Sequence, residues 1–311
     1  MKALVISGGG SKGAFAGGVA QYLIEDLQRE YDMYYGTSTG SLLVSHLALR
    51  KVEKIKEVYT SVNQKSIFSN CPFTIKRKFG EEVIEINHFN VLKNFWRGSK
   101  TFGESKNLQK LLKRIFTEEE FIFLKNSNKN IVVTVSNLSL NTVEYKSIND
   151  CTYEDFCDWI WISCNYIPFM SLVKKEGCEY ADGGFASMIP IEEAIKNGAT
   201  HVDAIILQTE TPLYNRLPAR SAFAALTNLF AFMMDRIEYQ NIKIGKYEAK
   251  FKGATINFYY TPSLLTTNSL IFNKEKMKEW WQIGYDYAKS KDLDTQEIPI
   301  EESTSHFSAL F

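Results

Sequence analysis

The chain has 311 residues, enough to bury one large core or two small ones. Its 36 Lys and Arg balance 36 Asp and Glu, so no global basic field exists to gather nucleic acid or an anionic membrane. Five scattered cysteines form no CxxC pair and no metal-ligand spacing with the four histidines, which points to a reduced, cytoplasmic type of protein without a metal centre.

The N-terminal "ALVI" is far too short for a signal peptide. The longest apolar segment, "SAFAALTNLFAFMMD" (Ser221 to Asp235), is shorter than a membrane span, so neither a signal nor a transmembrane segment is expected. "KALVIS" reads as a buried parallel strand. Val19, Tyr22, Leu23 and Leu27 then recur at helical spacing between Ala14 and Arg29. "DMYYG" (Asp32 to Gly36) is a second short strand, and "TSTGSLLVSHLAL" a turn entering a helix.

Residues 61–105 are irregular and read as an insertion or cap. A helix follows over Lys106 to Phe116, then two strands, Asn130 to Leu138 and Asn141 to Ile148, joined by a tight turn. "TYEDFCDWIWIS" is helical, "CEYADGG" a strand end, "PIEEAIKNGA" a helix, and "HVDAIILQT" another buried strand. A long helix from about Ala219 to Lys250, the strand "TINFYYTP" and a helix from Asn273 to about Lys289 complete the pattern. Strands alternating with helices predict an α/β fold with a mostly parallel sheet. Residues 291–311 turn polar and acidic and read as a loosely packed tail.

Three glycine-bearing fragments carry the chemistry. Gly8, Gly10 and Gly13 satisfy G-x-G-x-x-G between a strand and a helix, the context of a dinucleotide-binding loop. That reading needs an acid after the second strand, where "YYGTSTG" has none; Asp32 stands at the strand's beginning. A P-loop fails too, because Ala14 and Phe15 follow Gly13. "GTSTG" (Gly36 to Gly40) is instead G-x-S-x-G at a strand-to-helix turn, where small neighbours let a serine hydroxyl project and the helix directs its positive end at the site. "YADGG" (Tyr180 to Gly184) sets an Asp where two glycines permit close approach to a neighbouring loop. Of the histidines, His46, His88 and His306 lie in a helix, an irregular region and the tail, leaving His201 as the reserve base.

In this order, "GGGSKG", "GTSTG" and "DGG" resemble the patatin-like phospholipase family of acyl hydrolases. The likeness continues through "WISCNYIPFMSLVKKEGCEYADGGFASMIPIEEAIKNGA" and covers roughly residues 1–290, with 61–105 and the tail outside it. It implies a three-layer α/β/α sandwich around a central, mostly parallel sheet. It also implies a Ser–Asp dyad without histidine, with Ser38 as nucleophile and Asp182 as its partner. The loop of Gly8, Gly9, Gly10 and Ser11 becomes an oxyanion hole, and Lys12, Gly13, Gly36, Gly40, Gly183 and Gly184 complete the supporting motifs. The chemistry requires no metal and no cofactor.

The implied substrate is a phospholipid or other fatty acyl ester, with peripheral membrane contact. "FNVLKNFWRG" (Phe89 to Gly98), with Lys93 and Arg97 between aromatics, suits an interfacial patch. "SAFAALTNLFAFMMD" lines an acyl channel or belongs to the core. The alternatives are a patatin-fold scaffold that binds lipid or protein without turnover, and a dinucleotide-binding protein. The sequence departs from the family pattern at Met188, where an Asn often stands two residues before the proline (here Pro190), and around Pro168, which lacks a second proline.

Overall fold

The computed structural model describes residues 1–78, 81–211, 219 and 221–296. Its strands are β1 (Lys2–Ile6), β2 (Met33–Thr37), β3 (Phe73–Lys78), β4 (Glu81–Ile86), β5 (Asn130–Asn137), β6 (Thr142–Ser147), β7 (Val173–Lys175), β8 (Cys178–Asp182), β9 (His201–Ile206) and β10 (Thr255–Tyr260). Its α-helices are α1 (Gly13–Gln21), α2 (Thr39–Ala48), α3 (Val52–Ser61), α4 (Gln64–Ile67), α5 (His88–Trp96), α6 (Lys106–Ile115), α7 (Glu118–Lys125), α8 (Tyr153–Ser163), α9 (Ile191–Lys196), α10 (Ala222–Lys252) and α11 (Lys274–Gln296).

The apolar runs pair in the order β10-β9-β1-β2-β5-β8-β7, with β6 added alongside β5. The pairs from β10 to β5 are parallel; β6, β7 and β8 join antiparallel. Side chains alternate across the pleat, so β1 feeds both sides of the sheet. Leu4 and Ile6 meet Phe15, Leu43, Phe156 and Trp281 from α1, α2, α8 and α11. Ala3 and Val5 meet Ile191, Ala194, Ile195 and Ala249 from α9 and α10. Two apolar layers around one mostly parallel sheet make the expected three-layer α/β/α sandwich.

Several boundaries shift. The first helix gives way at Gln21 to a wider turn over Tyr22–Asp26. The last helix continues to Gln296, past 290, and residues 297–311 of the expected tail lie outside the described residues. The region 61–105 contains α4, the antiparallel hairpin β3–β4, which forms its own two-stranded sheet, and α5.

Candidate active site

Strand β5 brings two of the motifs together. Residues 130–134 pair with β2, ending at Thr37↔Thr134, and the next residue, Val135, pairs with Asp182 of β8. Since β6 also pairs with residues 132–137, β8 takes up the edge of β5 where β2 leaves it. Ser38, one residue past β2, therefore meets Asp182 across that junction. Ser38 Oγ donates to Asp182 Oδ2 at 2.7 Å.

The turn at Ser38 is tight. Its φ of 52° and ψ of −117° lie in a region side chains rarely adopt. Helix α2 begins at Thr39, and Gly40 passes so close to β1 that a Cβ would stand 2.3 Å from Ile6 O. Three consecutive residues at the end of α8 brace both partners. Ser38 N–H donates to Ser163 Oγ at 2.9 Å, the Cys164 thiol donates to Ser38 O, and Asp182 N–H donates to Asn165 O at 2.9 Å.

Asp182 is 4% exposed, and its other oxygen accepts the Gly184 N–H at 2.8 Å. Burial pushes its pKa up to about 7, against the hydrogen bonds from Ser38 and Gly184 that favour the carboxylate.

The glycine loop leaves β1 and crosses the mouth of this junction. Gly10 has φ +56°, and a Cβ there would lie 2.3 Å from Ser269 O. Of the four expected oxyanion donors, two are committed elsewhere. Gly8 N–H donates to Met188 O at 3.1 Å and Ser11 N–H to Ser269 O at 2.8 Å, so these residues hold the loop in place. The amides of Gly9 and Gly10 donate to no oxygen among the described residues. Gly9, Gly10 and Ser38 are each partly exposed, while Gly8, Ser11, Thr37, Thr39 and Asp182 around them are buried. Tyr59 ties loop to helix: its hydroxyl donates to Gly10 O at 2.6 Å and bonds Thr39 Oγ1.

Lys12 is buried, not exposed. Its Nζ donates to Leu207 O, and burial lowers its pKa despite Glu238 and Asp235, which raise it. Glu238 of α10 is 4% exposed and pushed up to about 7 by burial, against the field of Lys12; its Oε1 has no partner among the described residues. One helical turn on, Asn241 Oδ1 accepts the Met188 N–H at 2.8 Å. Sequence reasoning missed Glu238, Asn241, Tyr59, Ser163 and Asn165. Asp235, Glu238 and Asn241 recur every third residue beyond an apolar stretch, the one visible sign of a polar face on that helix.

The reserve base is ruled out. His201 is exposed at the start of β9, beside Lys2 at the start of β1, whereas Ser38 follows the other end of the parallel strands. A five-residue strand separates those ends by about 16 Å. His46 is buried in α2 with Nε2 3.2 Å from Ile115 O, and burial pushes it down to about 4. His88 opens α5, and His306 lies outside the described residues. The dinucleotide reading loses its ground as well: Asp32 Oδ2 accepts the Lys2 N–H at 2.8 Å, at the wrong end of β2 for a ribose.

A family model described as patatin-like phospholipase matches residues 4–195, which take in the end of β1, the Ser38 turn and Asp182. The chain belongs to the patatin-like phospholipase family. Among proteins similar to this patatin-like chain is one described as uncharacterized, YjjU of Escherichia coli (strain K12), 25% identical over 199 residues. That alignment covers 63% of this chain and 49% of YjjU, so the chain spans about half the length of that relative. A second, the uncharacterized protein L620 of Acanthamoeba polyphaga mimivirus, is 25% identical over 337 residues, covering 94% of this chain and 89% of L620. Among solved structures, VipD from Legionella pneumophila aligns with a TM-score of 0.47 and 15% identity, over 94% of this chain and 67% of VipD.

Proposed function

We propose that this chain is a lipid acyl hydrolase of the phospholipase A type, in which Ser38 is the nucleophile and Asp182 the general base. The observation that carries the reading is the 2.7 Å hydrogen bond from Ser38 Oγ to a buried carboxylate. A carboxylate of ordinary pKa, about 3.9, is a weak base at neutrality, whereas one raised by burial is matched to the task.

As Oγ attacks the ester carbonyl carbon, its proton passes to Asp182, and the carbonyl oxygen becomes an oxyanion facing the unengaged amides of Gly9 and Gly10. Each such preorganised donor is worth about 3–4 kcal/mol in the transition state. Collapse breaks the bond to the alcohol, which leaves with the proton from Asp182 and leaves an acyl group on Ser38. Water then attacks the acyl carbon and gives its proton to Asp182. The second collapse releases the fatty acid and returns the proton to Ser38. The favoured substrate is a glycerophospholipid, met at a membrane surface, with neutral lipid esters next.

The test compares wild type, Ser38→Ala and Asp182→Asn on a short-chain p-nitrophenyl ester and on mixed phospholipid vesicles. Loss of hydrolysis in both variants, with fluorophosphonate labelling of wild type lost in Ser38→Ala, supports the dyad. A wild type that neither hydrolyses these substrates nor takes the label overturns it and leaves a binding scaffold.

A further inference from the structure

Helix α5 is amphipathic in the reverse sense. Its inward side consists of Val91 and Asn94, both buried, and Asn94 Nδ2 donates to Thr101 O at 2.9 Å. Its outward side presents Phe89, Leu92 and Trp96 at i, i+3 and i+7, exposed by 74%, 51% and 83%. A surface helix of a globular protein ordinarily turns such a stripe toward the core. Lys93 and Arg97, both exposed, flank the stripe on one side. From Asn87 to Gly103 the sequence contains Lys93, Arg97 and Lys100 and no Asp or Glu.

The patch joins the candidate site through a run of aromatic rings. Phe95 of α5 lies 6.0 Å from Phe102, Phe102 lies 6.0 Å from Phe169, and Phe169 lies 5.8 Å from Tyr166. Tyr166 stacks on Phe185 at 5.3 Å and 8°. Phe185 stands three residues beyond Asp182 and contacts Phe230 of α10 at 6.1 Å. The first turns of α10, from Ser221 to Met234, contain no charged residue and expose Leu229 and Phe232 by 55% and 58%.

We propose that α5 is the helix by which this chain docks on an anionic lipid bilayer, with Phe89, Leu92 and Trp96 among the acyl chains and Lys93 and Arg97 level with the headgroup phosphates. The inference rests on the lipid hydrolase reading and gives that reading its surface. A convex apolar stripe with cationic flanks and no acid matches a negatively charged interface, where aromatic rings and basic side chains settle at headgroup depth.

Trp96 is its own reporter, because Trp159, Trp161, Trp280 and Trp281 are all buried. The full chain bearing Ser38→Ala is titrated with phosphatidylcholine vesicles with and without phosphatidylglycerol. The expected result is a blue shift of Trp96 emission on the anionic vesicles, weakened by added salt. Phe89→Ser and Leu92→Ser, made singly, should each lower vesicle co-sedimentation tenfold or more, while the same changes beside an intact Ser38 leave soluble-ester hydrolysis at the wild-type rate. Unshifted emission on both vesicle types overturns the proposal, as does undiminished sedimentation of both variants. Self-association that disappears in Phe89→Ser, with no vesicle binding, assigns the face to a second copy and overturns it equally. Because Ser38→Ala does no chemistry, binding is read whether or not wild type hydrolyses lipid, so failure of docking and failure of the hydrolase reading are separate results.

Discussion

Asn241 accepts the backbone N–H of Met188 at 2.8 Å, from a helix 53 residues further along the chain. Met188 O in turn accepts the Gly8 N–H, so one residue links α10 to the glycine loop. The position where the family pattern often has an Asn is thus supplied with an amide from elsewhere. Asn241→Ala leaves a partly buried N–H unpaired and should cost about 1–3 kcal/mol of stability by urea denaturation. It should also lower kcat/KM on a soluble ester, through a loosened glycine loop.

The pH dependence of kcat/KM on a soluble ester should rise with an apparent pKa near the 7 of Asp182, because only the carboxylate accepts the Ser38 proton. Asp182→Asn should lower the rate by about 10³-fold or more on the plateau above pH 7 and abolish that inflection, so the deficit shrinks as pH falls.

Stability should follow the same proton. A carboxyl raised by folding holds its proton in the native state between its unfolded value and about 7, so its contribution is complete at low pH and is lost as pH rises through that interval. Wild type minus Asp182→Asn should therefore decline by about 1.4 kcal/mol per pH unit between about pH 4 and 7. His46, pushed down to about 4, acts with the opposite sign, and Glu238 with the same sign, but both chains contain them and the difference cancels them.

Lys12 and Glu238 form a second test. Lys12→Met removes a buried cation whose field favours the Glu238 carboxylate, and should cost about 3 kcal/mol near pH 8. The loss should shrink near pH 6, where Glu238 takes up a proton. Lys12→Met with Glu238→Gln should recover part of it, as thermal unfolding at the two pH values would reveal.

The parts of the site tied to local backbone demands were legible in the sequence. Gly10, Gly36 and Gly40 mark places where chain crosses chain, and the strand-turn-helix context singles out Ser38 as the candidate nucleophile. The register that aligns Asp182 with Val135, one step beyond Thr37↔Thr134, is a long-range pairing without a local signature. The same holds for Ser163 and Asn165, whose types are ordinary at a helix end. Helix α10 is divided: Phe223, Leu226 and Phe230 pack against the core as apolar spacing suggests, while Leu229, Phe232 and Met233 face out. Periodicity reveals that a helix has an apolar side, not which neighbour that side meets.

The backbone at Ser38 gives a final prediction. Ser38→Gly and Ser38→Ala both remove the hydroxyl, but only glycine relieves a φ of 52° with a ψ of −117°. The glycine variant should be more stable than the alanine variant by about 1–3 kcal/mol in matched denaturation curves. The strain of the turn therefore works against the serine, while its bond to Asp182 works for it. A descendant that exchanged it for glycine would shed the strain of the turn and leave the buried Asp182 oxygen without its donor. On the dyad reading proposed above, it is the reaction that keeps a hydroxyl in so strained a turn.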